Sequence, residues 1–104
     1  GKEELDPAIL RIGKVVVDDR QQACHSGEIN VPITQKIFSG KEIYCELGDI
    51  IAGKALGRRS DQEITIFDST GLAIQDAVTA NLVYRKAVEL ELGLKINLIT
   101  STKF

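Results

Sequence analysis

The sequence predicts an α/β fold containing a parallel sheet, on three observations. Lys14-Val15-Val16-Val17-Asp18 and Ile64-Thr65-Ile66-Phe67 are runs rich in β-branched residues, without the alternation of a half-exposed strand. Strands of that kind are covered on both faces, as in parallel sheets. Helical stretches lie between and after them, the longest from Gly71 to Leu92. Strands alternating with helices assemble as parallel α/β layers.

Each element has its own local signal. Leu5 to Ile12 reads as a short helix, with Asp6 as N-cap and Pro7 at the first helical position. Gly13 stops it, and the first strand, Lys14 to Asp18, follows. Asp19 to His25 is a second short helix ended by Gly27, and Asn30 to Gly40 is expected to be mostly loop. Ile43 to Glu46 forms a short strand, and Leu47 to Ala52 a helical turn or two stopped by Gly53. The polar stretch Lys54 to Glu63 is an exposed loop before the second long strand, Ile64 to Phe67. Gly71 to Leu92 is the longest helix, Gly93 stands where a C-terminal stop belongs, and Lys95 to Ile99 is a last strand. Ile74, Val78 and Leu82 make the first half of the long helix apolar almost all round. A helix of that kind needs covering on several sides.

The chain has 104 residues, 43% hydrophobic and 27% charged, with a formal net charge of −2. Those values describe one globular unit with a real core. The slight acidity and 5% aromatic content argue against nucleic acid as a partner. No apolar run reaches the ~20 residues that span a bilayer, and the polar start Gly1-Lys2-Glu3-Glu4 is no signal peptide. Cys24 and Cys45 make no disulfide scaffold, and the expected compartment is the cytoplasm. The chain contains no methionine, so it is expected to be part of a longer protein.

Several short patterns offer chemistry. Gly48-Asp49-Ile50-Ile51-Ala52-Gly53-Lys54-Ala55 has the spacing of a phosphate-binding loop, but no Ser or Thr follows the lysine. Its apolar centre suits a helical turn capped by Gly53. Cys24, His25 and Cys45 lack the spacings of a zinc site, so no metal is expected. Asp68-Ser69-Thr70-Gly71 lies at the carboxyl end of a predicted parallel strand and the start of the long helix. Ligands of open α/β sheets bind at such strand ends, and a helix start suits polar or anionic groups. Equally, Ser69 or Thr70 is an ordinary N-cap there. Asp18-Asp19 holds the same position after the first strand and reads as solvated turn and cap residues. No G-x-G pair occurs anywhere, so a dinucleotide-binding turn, if the protein has one, lies upstream of residue 1.

The residues from Ile64 to Asp76, Ile-Thr-Ile-Phe-Asp-Ser-Thr-Gly-Leu-Ala-Ile-Gln-Asp, resemble the C-terminal signature of the ornithine cyclodeaminase/mu-crystallin family. The resemblance is closest to its archaeal alanine dehydrogenase branch. Gly1-Lys2-Glu3-Glu4-Leu5-Asp6 resembles the segment after that family's catalytic loop, G-A-D-x-P-G-K-x-E-L. His25-Ser26-Gly27-Glu28-Ile29-Asn30 and Ile50-Ile51-Ala52-Gly53-Lys54 fall where the family has similar runs.

The resemblance implies the C-terminal half of a Rossmann-type parallel sheet, with a long helix and final strand returning to a dimerisation and substrate domain. Residues 1–70 would belong to the NAD-binding part and residues 71–104 to the join with the second domain. The implied activity is NAD-dependent oxidative deamination of L-alanine to pyruvate and ammonia. The alternatives are conversion of L-ornithine to L-proline and ammonia, or a mu-crystallin-like ketimine reductase that holds a hormone. By carry-over, Lys2 matches a cofactor-contacting lysine, although it also reads as an ordinary solvated lysine. Ser69 matches a serine near the nicotinamide, and Thr70 a position whose backbone meets the amino-acid substrate. The family's catalytic aspartate would stand just before Gly1, so no catalytic residue is assigned within the chain. The implied partners are the small amino-acid substrate, the remainder of the chain and a second copy in a homodimer.

Overall fold

In the computed structural model, residues 3–96 are described. A 3-10 helix at Pro7–Arg11 leads to strand β1, Lys14–Val17. Helices α1, Arg20–His25, and α2, Asn30–Thr34, follow, and a 3-10 turn at Gly40–Glu42 precedes the short strand β2, Cys45–Glu46. Helix α3, Leu47–Ile51, strand β3, Thr65–Asp68, and helix α4, Ala73–Glu89, complete the series. The fold is mixed α/β with a parallel sheet, as the strand and helix patterns predict.

The sheet order is β2-β1-β3, and both pairings are parallel. Val16 stands opposite Cys45, while Val15 pairs with Ile66 and Val17 with Asp68. This register sends Val15, Val17 and Ile66 to one face. There they form a buried core with Leu10, Ala23, Ile29, Phe38 and Ile43. The opposite face carries Val16, which is buried, and Phe67, which is 50% exposed. Two-sided cover therefore holds for β1, the central strand, and fails for the edge strand β3.

Local chemistry explains most boundaries. Asp6 caps the first 3-10 helix by accepting the Ala8 N–H at 2.9 Å, with Pro7 where no N–H is needed. Asp19 caps α1 by accepting the Gln22 N–H at 2.7 Å. Lys14 anchors the first residue of β1 to the loop before β3. Its ammonium lies 2.6 Å from the Glu63 carboxylate, donates to Gly57 O at 3.2 Å and sits 4.7 Å from the Tyr44 ring centre. That contact holds the Glu63 carboxyl below its ordinary value, helped by the Arg59 N–H.

Three expectations need correction. The segment from Asn30 to Gly40, which reads as mostly loop, contains the five-residue helix α2 at its start. Propensity is weak there, because the helix is five residues long and has no side-chain cap. It forms because Ile29 and Pro32 are fully buried. Pro32 is harmless in the first turn, where its missing N–H has no intrahelical partner. Second, the long helix begins at Ala73 and ends at Glu89, not at Gly71 and Leu92. Gly71 has φ +82°, outside the helical region, and Glu91 and Gly93 turn left-handed at the other end. Third, Lys95 and Ile96 belong to no strand, and residues 97–99 lie outside the described residues. An extended segment becomes a strand only where a neighbour takes up its N–H and C=O groups.

The chain divides into two compact units, residues 1–72 and 73–104. The first holds the sheet and its covering helices. In the second, α4 has no buried residue, and Ile74, Val78, Leu82 and Tyr84 are all more than half exposed. Among the described residues, no helix is long and apolar enough to cross a membrane.

Candidate functional site

The carboxyl ends of β1 and β3 stand side by side, because Val17 pairs with Asp68. Two polar turns leave them, Asp18-Asp19 ahead of α1 and Ser69-Thr70-Gly71 beyond β3. From β1 the chain passes to β2 on one side, and β3 lies on the other. Such a divergence opens a crevice at the strand ends, the place where open α/β sheets bind ligands.

Asp18 binds the two turns together. Its Oδ2 accepts the Gly71 N–H at 2.8 Å, and its Oδ1 accepts the Thr70 hydroxyl at 2.9 Å and the Asp19 N–H at 2.8 Å. The Ser69 hydroxyl donates to Oδ2 over a longer 3.4 Å. Gln22 of α1 completes the clasp by donating from Nε2 to Gly71 O at 2.9 Å. Burial pushes the Asp18 carboxyl up, but the Gly71 N–H, the Thr70 hydroxyl and the Asp19 N–H outweigh it and hold it below its ordinary value. Asp18 is therefore ionised wherever the protein is folded near neutral pH.

These contacts correct two expectations. Asp18 is no solvated turn residue; Asp19 alone is the cap, while Asp18 is the acceptor that organises the neighbouring turn. Ser69 and Thr70 are not the N-cap of α4, since that helix starts at Ala73 and both hydroxyls turn toward Asp18. The Gly71 N–H is likewise occupied by Asp18, so it is not free to receive an anion.

Asp68 is the second carboxylate of the site and differs in kind. It shares the core face with Val17, is only 6% exposed, and its Oδ2 has no hydrogen-bond partner among the described residues. Burial raises its carboxyl above the ordinary value, and the Asp18 and Glu28 carboxylates add to the rise against nearby backbone N–H groups of Glu28 and Ile29. Gly27 lies directly over it with φ +79°. A Cβ there would stand 2.9 Å from Asp68 Oδ1 and 2.9 Å from Thr70 Cγ2. Glu28 then ties the N-terminal segment to the same loop by accepting the N–H groups of Glu4 and Leu5 at 2.9 and 3.0 Å. Between these elements lies a hollow of about 480 Å³, lined by Glu4, Leu5, Gly27, Glu28, Phe67, Asp68 and Ser69.

The two aspartates give opposite pH dependences. Asp18 has a depressed folded-state value, so its contribution is present above the ordinary carboxylate value and is lost as pH falls through the folded one. Asp68 has a raised value, so its contribution is full below the ordinary value and is lost as pH rises through the folded one. Asp68→Asn in the full-length protein is therefore expected to remove a loss of stability that the unmodified protein shows on raising pH above about 4. Denaturant midpoints across the acid range check this; an unchanged slope would show that Asp68 titrates normally.

The other sequence candidates fall elsewhere. Lys2 lies outside the described residues. The Gly48–Lys54 run is α3 with its C-terminal turn: Gly53 has φ +72°, and the Lys54 N–H bonds Asp49 O at 2.8 Å. A phosphate loop needs a strand leading directly into it and a helix following it, and here the helix occupies the run itself. His25 Nδ1 stands 2.7 Å from Gln21 O, one turn back in its own helix. Cys24 and Cys45 are free thiols, and burial pushes the Cys45 thiol up.

A three-stranded parallel sheet with a clasped polar turn at its carboxyl edge defines an α/β protein with a crevice where open sheets of this class bind ligands. A sequence model of the ornithine cyclodeaminase/mu-crystallin family matches residues 1–91, and the chain belongs to that family. It is 51% identical over 96 residues to an alanine dehydrogenase of Archaeoglobus fulgidus, covering 92% of this chain and 30% of that protein. It is 43% identical over 90 residues to a Delta(1)-pyrroline-2-carboxylate reductase of Bacillus cereus, covering 86% of this chain and 28% of that one. Among solved structures, an archaeal alanine dehydrogenase dimer with bound NAD superposes with a TM-score of 0.78 at 49% identity, over 94% of this chain and 31% of that one. The Thermococcus litoralis Delta(1)-pyrroline-2-carboxylate reductase in complex with NADH and L-proline gives 0.76 at 38% identity, over 90% and 29%. The chain thus spans about a third or less of the length of these relatives.

Sequence reasoning missed the parts of the site that act across the fold. Asp18 looked like one of two equivalent turn aspartates, because nothing local marks which one caps the helix. Gln22 carried no signal, since its partner is 49 residues away, and Glu28 stood in a run similar to the family's with nothing local to mark its partner 24 residues away. Gly27 was visible as a helix stop and within that same run, without a sign of its close approach to Asp68. The run from Gly27 through Ile29, with a glycine beside a charged and a large apolar residue, was the available hint of a close approach.

Proposed function

We propose that this chain is the carboxyl-terminal portion of an NAD-dependent enzyme acting on a small amino acid, with oxidative deamination of L-alanine as its reaction. The observation that carries the reading is the Ser69-Thr70 turn, held at the carboxyl ends of two parallel strands in a chain 51% identical to an alanine dehydrogenase. Residues 1–70 form part of the dinucleotide-binding domain in this reading, and residues 71–104 lead to a dimerisation and substrate domain. The apolar exposed side chains of α4 suit that role, since a helix without a buried face needs a partner.

The turn fits a nicotinamide in two respects. Ser69 is exposed at the rim of the hollow, and Asp18 and Gln22 fix the Gly71 backbone of the same turn from two sides. Ser69 would contact the cofactor, the Thr70 backbone would meet the substrate, and Lys2 would reach the cofactor from the N-terminal segment. When bound, NAD accepts the hydride that leaves the Cα of the amino acid. The chain's own residues orient the ring and line one wall of the hollow. Phe67 and Leu5 keep part of that wall dry.

A second reading, reduction of a cyclic imino acid, is favoured by the 43% identity to the Bacillus pyrroline-carboxylate reductase. It uses the same hydride transfer in the opposite direction, so a panel of substrates separates the two. Alanine oxidation by the full-length protein gives net NADH with pyruvate and ammonia. A cyclic imine consumes NADH, and an ornithine cyclodeaminase yields proline without net NADH. Absence of turnover with all three would refute both readings.

Ser69→Ala tests the cofactor contact. A hydroxyl hydrogen bond contributes about 0.5–1.5 kcal/mol, so NAD affinity is expected to fall by a factor of a few up to about tenfold. Only modest destabilisation should accompany it, because the Ser69 hydroxyl bond to Asp18 is long, at 3.4 Å. Unchanged NAD affinity beside a lowered melting temperature would make Ser69 a structural residue only.

A further inference from the structure

A hydroxyl carries one donor and two acceptor sites, so whatever takes its proton decides what it offers on its other side. The Asp18 carboxylate can only accept, and the Thr70 hydroxyl gives its proton to it at 2.9 Å. The Ser69 hydroxyl points the same way at 3.4 Å, and the Gly71 N–H is bound at 2.8 Å. The Thr70 and Gly71 donors are thus spent inward, and the Ser69 proton is drawn toward the same charge. What the exposed Ser69 hydroxyl offers to the hollow is then its lone pairs, beside a negative charge that strengthens them as acceptors.

We propose that Asp18 is a positioning residue that makes the Ser69-Thr70 turn an acceptor, selecting for a hydrogen-bond donor on the ligand. Resting on the dinucleotide reading above, the donor is the carboxamide NH2 of the nicotinamide. The turn therefore distinguishes a carboxamide from a group of the same shape without N–H, and it disfavours a carboxylate or phosphate oxygen in that place.

Asp18→Asn reverses this polarity with little change of shape. An amide has one acceptor side and one NH2 side. Placed at Oδ2, the NH2 opposes the Gly71 N–H; placed at Oδ1, it opposes the Asp19 N–H. Either orientation breaks a backbone hydrogen bond. At Oδ2 the NH2 turns the Ser69 hydroxyl from a donor into an acceptor, and at Oδ1 it does so to Thr70. In both, the negative charge that draws the Ser69 proton inward is lost.

The test measures binding of NAD and of the analogue in which an acetyl group replaces the carboxamide, with the full-length protein. The unmodified protein is expected to prefer NAD by about three- to tenfold, the worth of one hydrogen bond. In Asp18→Asn that preference should fall to near unity. A role confined to structure would weaken both dinucleotides by the same factor and keep the preference, which overturns the proposal. Ser69→Ala, at an exposed position, serves if Asp18→Asn does not fold: it removes an outward acceptor and should also abolish the preference. A preference retained in Ser69→Ala, or none in the unmodified protein, overturns the proposal while leaving the cofactor reading in place. Failure of the unmodified protein to bind either dinucleotide overturns the cofactor reading itself.

Discussion

Gly27→Ala in the full-length protein is expected to lose both stability and cofactor affinity. The backbone at Gly27 has φ +79°, where an L side chain is strained by about 1–3 kcal/mol. The new Cβ also stands 2.9 Å from Asp68 Oδ1 and from Thr70 Cγ2, closer than such atoms approach. Asp68 is buried at the end of a strand and cannot swing away, so the α1–α2 loop or the Thr70 turn has to move. Movement of Thr70 breaks its 2.9 Å bond to Asp18 and with it the clasp of the site. Thermal unfolding and NAD titration of the same preparation check both halves. A variant as stable and as tight-binding as its parent would show that the loop over Asp68 is not closely packed.

The second large effect is expected at Ile29. It is fully buried in the core with Val15, Val17 and Phe38, and it anchors the loop that carries Gly27 and Glu28. Ile29→Ala removes buried methylene and methyl groups and leaves a cavity that the sheet cannot fill, at about 2–5 kcal/mol. Its consequence reaches the site, because the two residues before it hold Asp68 and the N-terminal segment. Denaturant unfolding gives the magnitude; a loss below about 1 kcal/mol would place Ile29 outside the core.

The sheet was legible because its signals are local. A run such as Val15-Val16-Val17 declares a covered strand by composition alone, and Asp6-Pro7 and Asp19 declare helix starts by capping chemistry. Helix α2 was not legible, because its stability comes from burying Ile29 and Pro32, not from helix formers. Phe67 misled in the opposite way: an apolar residue in an apolar run, it is half exposed on the edge strand.

The candidate site divides along the same line. Its position beyond β3 followed from strand-end reasoning, and Ser69 and Thr70 were named from their resemblance to a family signature. The clasp was not legible. Asp18 meets Ser69, Thr70 and Gly71 across more than 50 residues of sequence, a distance no periodicity reports. The burial of Asp68 was hidden as well, since an aspartate after a strand usually reads as a turn residue.

A structure of the full-length protein with NAD bound is the decisive measurement for the Asp18 clasp as an acceptor site. The nicotinamide is expected at the carboxyl ends of β1 and β3, with its carboxamide NH2 within hydrogen-bond distance of the Ser69 hydroxyl and Asp18 still accepting the Thr70 hydroxyl and the Gly71 N–H. A nicotinamide bound away from that turn, or a carboxamide presenting its oxygen to Ser69 with the hydroxyl released from Asp18, would contradict it.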